Sequence, residues 1–175
     1  LASDIVFYEE FPSNYLSYAR RALRWIRGDW QLTPWLGGNV PSRDEQTVPS
    51  RFSMLDRWKM LDNLRRSLTA PMLIAFATAG WLLLPGQALI WTVLAVGAPA
   101  AYLFIDLITR LLHTRKPGAT RSILYPLAEH AGRWLLAVIF LAHEAAVASE
   151  AIARALWRMH VSHRDMLEWT SAFRR

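Results

Sequence analysis

The sequence predicts a mainly α membrane protein fragment, with interfacial amphipathic helices and a transmembrane helical hairpin. Three observations carry that prediction. Of the 175 residues, 53% are hydrophobic and only 19% charged, whereas a soluble domain averages roughly 45–50% apolar and about 25% charged. Between Pro71 and Ile105 the only strongly polar side chain is Gln87, and the stretch is interrupted by Pro85-Gly86. The 20 Lys and Arg against 14 Asp and Glu leave a net charge of +6, and this basic excess lies on the flanks of the apolar run. Apolar and basic residues are thus segregated, as they are in a membrane protein with basic cytoplasmic flanks. Nine Trp, seven Phe and five Tyr exclude disorder, because that much aromatic surface drives burial. The absence of Cys excludes a disulfide scaffold, a Cys-based metal site and a thiol nucleophile. The chain starts at Leu1 with no basic-then-apolar leader, and we read it as a piece of a longer protein.

Taken in order, the elements are as follows. Ser3 to Glu9 carries the one strand-like alternation. Pro12-Ser13-Asn14 offers a helix start before Tyr15 to Arg27, and Gly28-Asp29-Trp30 reads as a tight turn. Gly37 to Pro49, with Gly-Gly-Asn and two prolines, reads as a loop. Ser53-x-x-Asp56 matches a capping box, with Asp in place of the usual Glu, and opens an amphipathic helix. The uncharged run is too long for one crossing of about 20 residues. It therefore predicts two transmembrane helices, Leu68 to Leu84 and Ala88 to Leu107, around the Pro85-Gly86 turn. The alternative is a helical hairpin buried in a large soluble core.

Arg51, Arg57, Lys59, Arg65 and Arg66 precede the first span, and Arg110, Arg115, Lys116 and Arg121 follow the second. The connecting turn has no charge, so both outer ends are expected on the cytoplasmic side and the turn on the other. Asp106 stands at i,i+4 spacing from Arg110, the arrangement of an ion pair at a span end. A third apolar run, Trp134 to Ala142, continues into positions 143, 150, 154 and 158, which place polar residues on one helical face. Basic residues lie at both ends of this segment. Ile123 to Met159 is therefore expected as one or two helices at least partly on the cytoplasmic face, anchored by Trp134 and Trp157; a third crossing is the alternative. Ser162-x-x-Asp165 matches a second capping box.

Candidate chemistry concentrates in Arg20-Arg21-Ala22-Leu23-Arg24-Trp25-Ile26-Arg27-Gly28-Asp29-Trp30. On a helix, Arg20, Arg24 and Arg27 share a face, with Arg21 beside them; Arg21, Trp25 and Asp29 form an adjoining i,i+4 row. Guanidinium groups hold a diphosphate and an indole face takes a flat partner, so a sugar nucleotide would satisfy both. The competing reading is an amphipathic helix on anionic lipid. The expected Gly28-Asp29-Trp30 turn tilts the balance toward a built site. Nucleic acid is not expected as a partner, since the basic residues follow the positive-inside pattern. The five histidines, at 113, 130, 143, 160 and 163, form no metal motif, and no phosphate loop or Ser-His-Asp arrangement is present in the sequence.

Arg21-Ala22-Leu23-Arg24-Trp25 resembles the Gln-x-x-Arg-Trp motif of processive, membrane-embedded glycosyltransferases such as cellulose and hyaluronan synthases. Three wider blocks look more narrowly like the bacterial cyclic β-1,2-glucan synthases: Phe11 to Gln31 with Pro34-Trp35-Leu36, Asp56 to Ser67, and Ser162 to Thr170 with Leu167-Glu168-Trp169. The resemblance implies UDP-glucose and a growing β-1,2-glucan chain as partners, at a bacterial inner membrane. By position, Arg24 would help neutralise the departing UDP and Trp25 would form the acceptor platform. Arg21 stands where the motif has Gln, and adds a second charge at the diphosphate or pairs with Asp29; Trp30 completes the candidate substrate-binding set.

The same resemblance implies a division into three parts. Residues 1–50 would be the end of a glycosyltransferase domain, 51–110 an amphipathic helix plus two transmembrane helices, and 111–175 cytoplasmic or interfacial helices leading to a further domain. Donor-binding aspartates, general base and the divalent metal expected with UDP-glucose would lie elsewhere on the polypeptide, so no catalytic residue and no cofactor is assigned to this stretch. The isolated segment is expected to be inactive.

Overall fold

The computed structural model describes residues 12–41, 46–113 and 120–164. They are mainly helical: α1 spans Tyr15–Gln31, α2 Met54–Leu82, α3 Ala88–Gly97, α4 Ala101–His113 and α5 Thr120–Trp157. A 3-10 turn at Thr33–Leu36 and a two-stranded antiparallel ladder, β1 (Asn39–Pro41) and β2 (Thr47–Pro49), lie between α1 and α2. The strand-like Ser3 to Glu9 and the second capping box, whose Asp165 would close it, fall outside the described residues.

Chain contacts divide the molecule into two compact units, residues 1–64 with 150–175, and residues 65–149. α2 and α5 contribute to both.

In the first unit, α1 starts where the sequence places it. The Asn14 side chain accepts from the Ser17 amide at 2.9 Å, satisfying one of the donors that a helix start leaves open. The expected turn at Gly28-Asp29-Trp30 does not form; α1 runs through Gly28 to Gln31. An isolated Gly lowers helix propensity by about 1 kcal/mol without ending a helix, and a Cβ on Gly28 would meet nothing within 4 Å. The segment Gly37 to Pro49, expected as a loop, contains the short ladder, with Val40 opposite Val48 and Ser50 closing onto the Gly38 carbonyl at 2.8 Å. Three-residue strands ending in Pro leave no alternation to detect. The capping box at α2 is present. The Ser53 amide donates to Asp56 Oδ2 at 3.0 Å, and the Asp56 amide donates to Ser53 Oγ at 3.2 Å.

In the second unit, the remainder of α2 packs against α3 through Gly80, where an added Cβ would lie 2.2 Å from Trp91 Cβ. Gly80 is thus the notch that admits the Trp91 side chain. The Trp81 indole donates to Thr92 Oγ1 at 2.8 Å and the Trp91 indole to the Pro85 carbonyl at 3.1 Å, while Phe76 meets Trp91 edge-on. The turn between α2 and α3 carries Gly86 at φ 102, a conformation that only Gly adopts readily.

The expected second span begins at Ala88 as read, but it is not one straight helix. Pro99 cannot continue the α3 ladder, a 3-10 turn occupies Ala98–Ala100, and Ala88–Ala100 and Leu103–Thr109 meet at 58°. The first expected span is the continuation of α2, with no boundary at Leu68. Among the described residues, Pro126–Ser162 is the one helix long and apolar enough to cross a membrane by itself; the bent pair would count as another if it forms one span. The helix that best meets that requirement is therefore the one expected at the interface.

α5 is a single helix through Pro126, followed by a π-helical turn at Arg158–Ser162 that ends on His163 in the left-handed region. Its buried residues Ala145, Ala148, Ala151 and Ala155 share one face, where small side chains permit close backbone approach. The polar stripe at 143, 150 and 154 is exposed beside it, and Glu150 pairs with Arg154. Trp134, expected as an interfacial anchor, is half-buried and donates to the Val96 carbonyl at 2.9 Å. That carbonyl lies three residues before Pro99, which has no N–H to offer it. Trp157 is exposed. Asp106 meets His130 of α5 at 3.4 Å; the Arg110 side chain, its expected partner, lies outside the described residues.

Candidate functional site

All five candidate residues, Arg21, Arg24, Trp25, Asp29 and Trp30, lie on α1, a helix fixed at its start by the Asn14 cap and at its end by a second set of bonds. The Leu32 amide donates to the Asp29 carbonyl at 3.1 Å, and Thr33 Oγ1 donates to the Trp30 carbonyl at 2.8 Å. These bonds use carbonyls that a helix C-terminus otherwise leaves open. Ala19 of α1 and Leu64 of α2 are among the buried residues of this unit.

The structure brings Arg21 and Trp25 together directly. The Arg21 guanidinium lies over the Trp25 ring, 4.2 Å from its centroid, a cation–π arrangement of about 0.5–1 kcal/mol at an exposed site. Trp25 nevertheless remains 59% exposed. Its indole is thus oriented by a neighbour and still open to a ligand. Arg20 is exposed, while Arg24 and Arg27 are half-buried, and both of the latter are engaged in interactions of their own.

Asp29 lies in the last part of α1, not in the expected Gly28-Asp29-Trp30 turn. Its Oδ1 accepts from the Asn63 side-chain amide of α2 at 3.3 Å. Burial pushes the Asp29 carboxyl above the usual carboxylate range, and the Asn63 hydrogen bond partly opposes that shift. Trp30 is half-buried at the same end of the helix. Sequence reasoning missed Asn63, because no local spacing signals a contact between residues 34 apart.

Two exposed aromatic surfaces therefore mark α1. Tyr15 and Tyr18 stack at a tilt, with centroids 6.0 Å apart, and Trp25 follows on the same face with Arg21 between. Such a surface combines flat apolar rings with guanidinium donors, the two features that recognise a polyhydroxyl ligand or a phosphate ester. Among the described residues no group of three His, Asp or Glu side chains could hold a metal ion.

No known family model matches the chain. It is, however, 35% identical over 177 aligned residues to the Cyclic beta-(1,2)-glucan synthase NdvB of Rhizobium meliloti (strain 1021). The chain is homologous to one segment of a cyclic β-(1,2)-glucan synthase. The alignment takes in 98% of this chain and 6% of that much larger relative. The match therefore takes in nearly the whole chain, the α1 cluster included, consistent with the three blocks that carry the resemblance to cyclic β-1,2-glucan synthases.

Proposed function

We propose that this chain is the acceptor-side and membrane-anchoring segment of a membrane-bound processive glycosyltransferase that elongates β-1,2-glucan from UDP-glucose. The observation that carries the proposal is the Arg21-oriented, solvent-open Trp25, set in a chain 35% identical to a protein named for cyclic beta-(1,2)-glucan synthesis. In this reading Trp25 is the platform on which the acceptor sugar stacks. Arg24 helps neutralise the diphosphate as UDP departs; preorganised positive charge where negative charge develops is among the largest contributions a protein makes to such a step. Arg21 holds the indole and adds charge beside it. The divalent metal expected with UDP-glucose would take its ligands elsewhere on the polypeptide. Residues 1–50 then close the glycosyltransferase domain, 51–110 bring the chain to the membrane, and 111–175 lead onward, with the basic flanks on the cytoplasmic face of a bacterial inner membrane.

The test is Trp25→Ala in the full-length enzyme, assayed in inner-membrane vesicles for incorporation of labelled glucose from UDP-glucose. Elongation is expected to be abolished while the protein remains membrane-integrated. Unchanged glucan output would overturn the proposal.

One observation favours a second reading, a lipid-binding anchor helix. The Gly28 turn that set α1 apart from such helices is absent, and α1 is continuous with Tyr18 and Trp25 exposed beside Arg20 and Arg21. Arg24→Lys separates the two. A lipid head group tolerates a point charge in place of guanidinium, whereas a bidentate diphosphate contact does not, so a large loss of glucose transfer with unaltered membrane association supports the enzymatic reading.

A further inference from the structure

Tyr18 and Trp25 are seven residues apart on α1, which places them two turns and about 10.5 Å apart along the same face. Both are open to solvent, at 46% and 59% exposure. Tyr15 widens the Tyr18 surface, its ring centroid 6.0 Å away, and Arg21 stands on the intervening turn with its guanidinium on the indole. Ala22, also between them, is small, so no large side chain separates the two aromatic surfaces on that side. The exposed aliphatic residue of this helix, Leu16, points about 160° away from Tyr18 by helical geometry. α1 thus presents a rigid aromatic track on one side and an aliphatic contact on another, rather than one mixed lipid-facing stripe.

Resting on the glycosyltransferase reading above, we infer that Tyr18, with Tyr15 beside it, is a second carbohydrate-stacking position that holds the growing glucan behind the acceptor sugar on Trp25. The separation exceeds the width of one pyranose ring, so the occupant is a chain and not a single sugar. The aromatic rings offer flat faces to the C–H faces of the sugars. The tyrosine hydroxyls and the Arg21 N–H groups offer hydrogen bonds to their hydroxyls. Such a grip at a distance from the reacting end raises processivity, because the chain remains attached while the next donor is loaded.

The test uses the full-length enzyme in inner-membrane vesicles under limiting UDP-glucose, with released products resolved by length. Loss of one stacking contact in Tyr18→Ala is expected to raise release per sugar added by roughly three- to ten-fold, shifting the product ladder to shorter chains. Tyr18→Phe, which keeps the ring, is expected to give the wild-type ladder. Tyr18→Leu, which keeps apolar bulk without a flat face, is expected to shorten it as Ala does. Leu16→Ala, on the aliphatic side, is expected to leave it unchanged. A wild-type ladder from Tyr18→Ala or Tyr18→Leu overturns the inference, as does equal shortening by Leu16→Ala. Trp25→Ala, run in parallel, reports on the underlying reading separately: if that variant still elongates normally, the assignment of α1 to the acceptor site fails whatever the Tyr18 variants show.

Discussion

The Asn63 side-chain amide donates to the Asp29 carboxylate at 3.3 Å, joining α2 to the last turn of α1. This bond ties α2 to the helix that bears the aromatic and guanidinium residues.

Partial burial raises the Asp29 carboxyl above its ordinary value. An acid raised on folding favours the folded state when protonated. Its cost is therefore absent below the unfolded value near 3.9, grows as pH rises toward the folded value, and stays constant above it. Asp29→Asn keeps an acceptor for Asn63 and removes that cost. Because the site is half open to solvent, the gain at pH 7 is expected to be under about 1 kcal/mol, fading as pH falls toward 4. Asn63→Ala is expected to destabilise by about 0.5–1.5 kcal/mol at pH 7. Thermal unfolding of the detergent-extracted protein at the two pH values checks both, and an Asp29→Asn gain that persists unchanged at pH 4 contradicts the linkage.

The Ser53–Asp56 box gives the opposite pH sign. Hydrogen bonds from the Ser53 hydroxyl and amide hold the Asp56 carboxyl below its ordinary value. Its contribution is present above the unfolded carboxylate value and is lost as pH falls through the lowered folded value. Amide hydrogen exchange in the first turn of α2 is expected to be protected at pH 6 and faster, after correction for intrinsic rates, at pH 3. In Ser53→Ala that protection should already be reduced at pH 6 and fall by less between pH 6 and pH 3, because only the backbone amide of residue 53 still reaches Asp56.

Much of this was legible in the sequence where the chemistry is local. Asn14 and the Ser53–Asp56 pair announce helix starts because they supply acceptors to backbone donors within three residues. Pro85-Gly86 announces its turn because Gly86 takes a positive φ. Gly28 misled, since a glycine is a weak prior for a turn and α1 has other reasons to continue. Asn63 against Asp29, Gly80 against Trp91, and Trp134 against Val96 join separate elements, and no periodicity encodes which elements meet. The cation–π pair of Arg21 and Trp25 lies between these cases. The i,i+4 spacing was readable, but the stacking of the guanidinium on the ring was not.

At Gly80 the steric demand is specific. An alanine Cβ would lie 2.2 Å from Trp91 Cβ and 2.6 Å from its Cγ, so α2 and α3 must part. Overpacking of this kind costs about 1–3 kcal/mol, more than the roughly 1 kcal/mol that helix propensity returns. Gly80→Ala is expected to lower the melting temperature, and to cost less in a Trp91→Gly background, which removes the Cβ 2.2 Å away, than in a Trp91→Ala background, which keeps it. Gly132→Ala, where an added Cβ meets nothing within 4 Å, is expected to be neutral or slightly stabilising.

The alanine face of α5 makes a parallel claim. Ala151 and Ala155 are completely buried, so Ala151→Leu adds three carbons where the chain already fills the space, at a cost of about 1–3 kcal/mol. Ala146→Leu, on an exposed position of the same helix, is expected to be tolerated. Equal melting temperatures for the two variants would show that the stripe is not a packing surface.

In the proposed membrane-anchoring role, the position of the turn between α2 and α3 decides how this segment meets the bilayer. The last basic residue before it is Arg66 and the next charge after it is Asp106, leaving the intervening stretch without a charge to hold the turn on the cytoplasmic side. Ser67 to Leu84 is 18 residues, about 27 Å as helix and close to the roughly 30 Å hydrocarbon core. Gln87, exposed at the start of α3, is then expected beyond the far face. Because this stretch contains no cysteine, Lys59→Cys and Gln87→Cys can each be placed in an otherwise cysteine-free full-length enzyme. A membrane-impermeant maleimide applied to intact spheroplasts is expected to label Gln87→Cys and spare Lys59→Cys, with the pattern reversed in inside-out vesicles. Labelling of both positions only in inside-out vesicles would mean that the hairpin re-enters, and the 58° bend between Ala88–Ala100 and Leu103–Thr109 would then mark a returning segment and not a broken span.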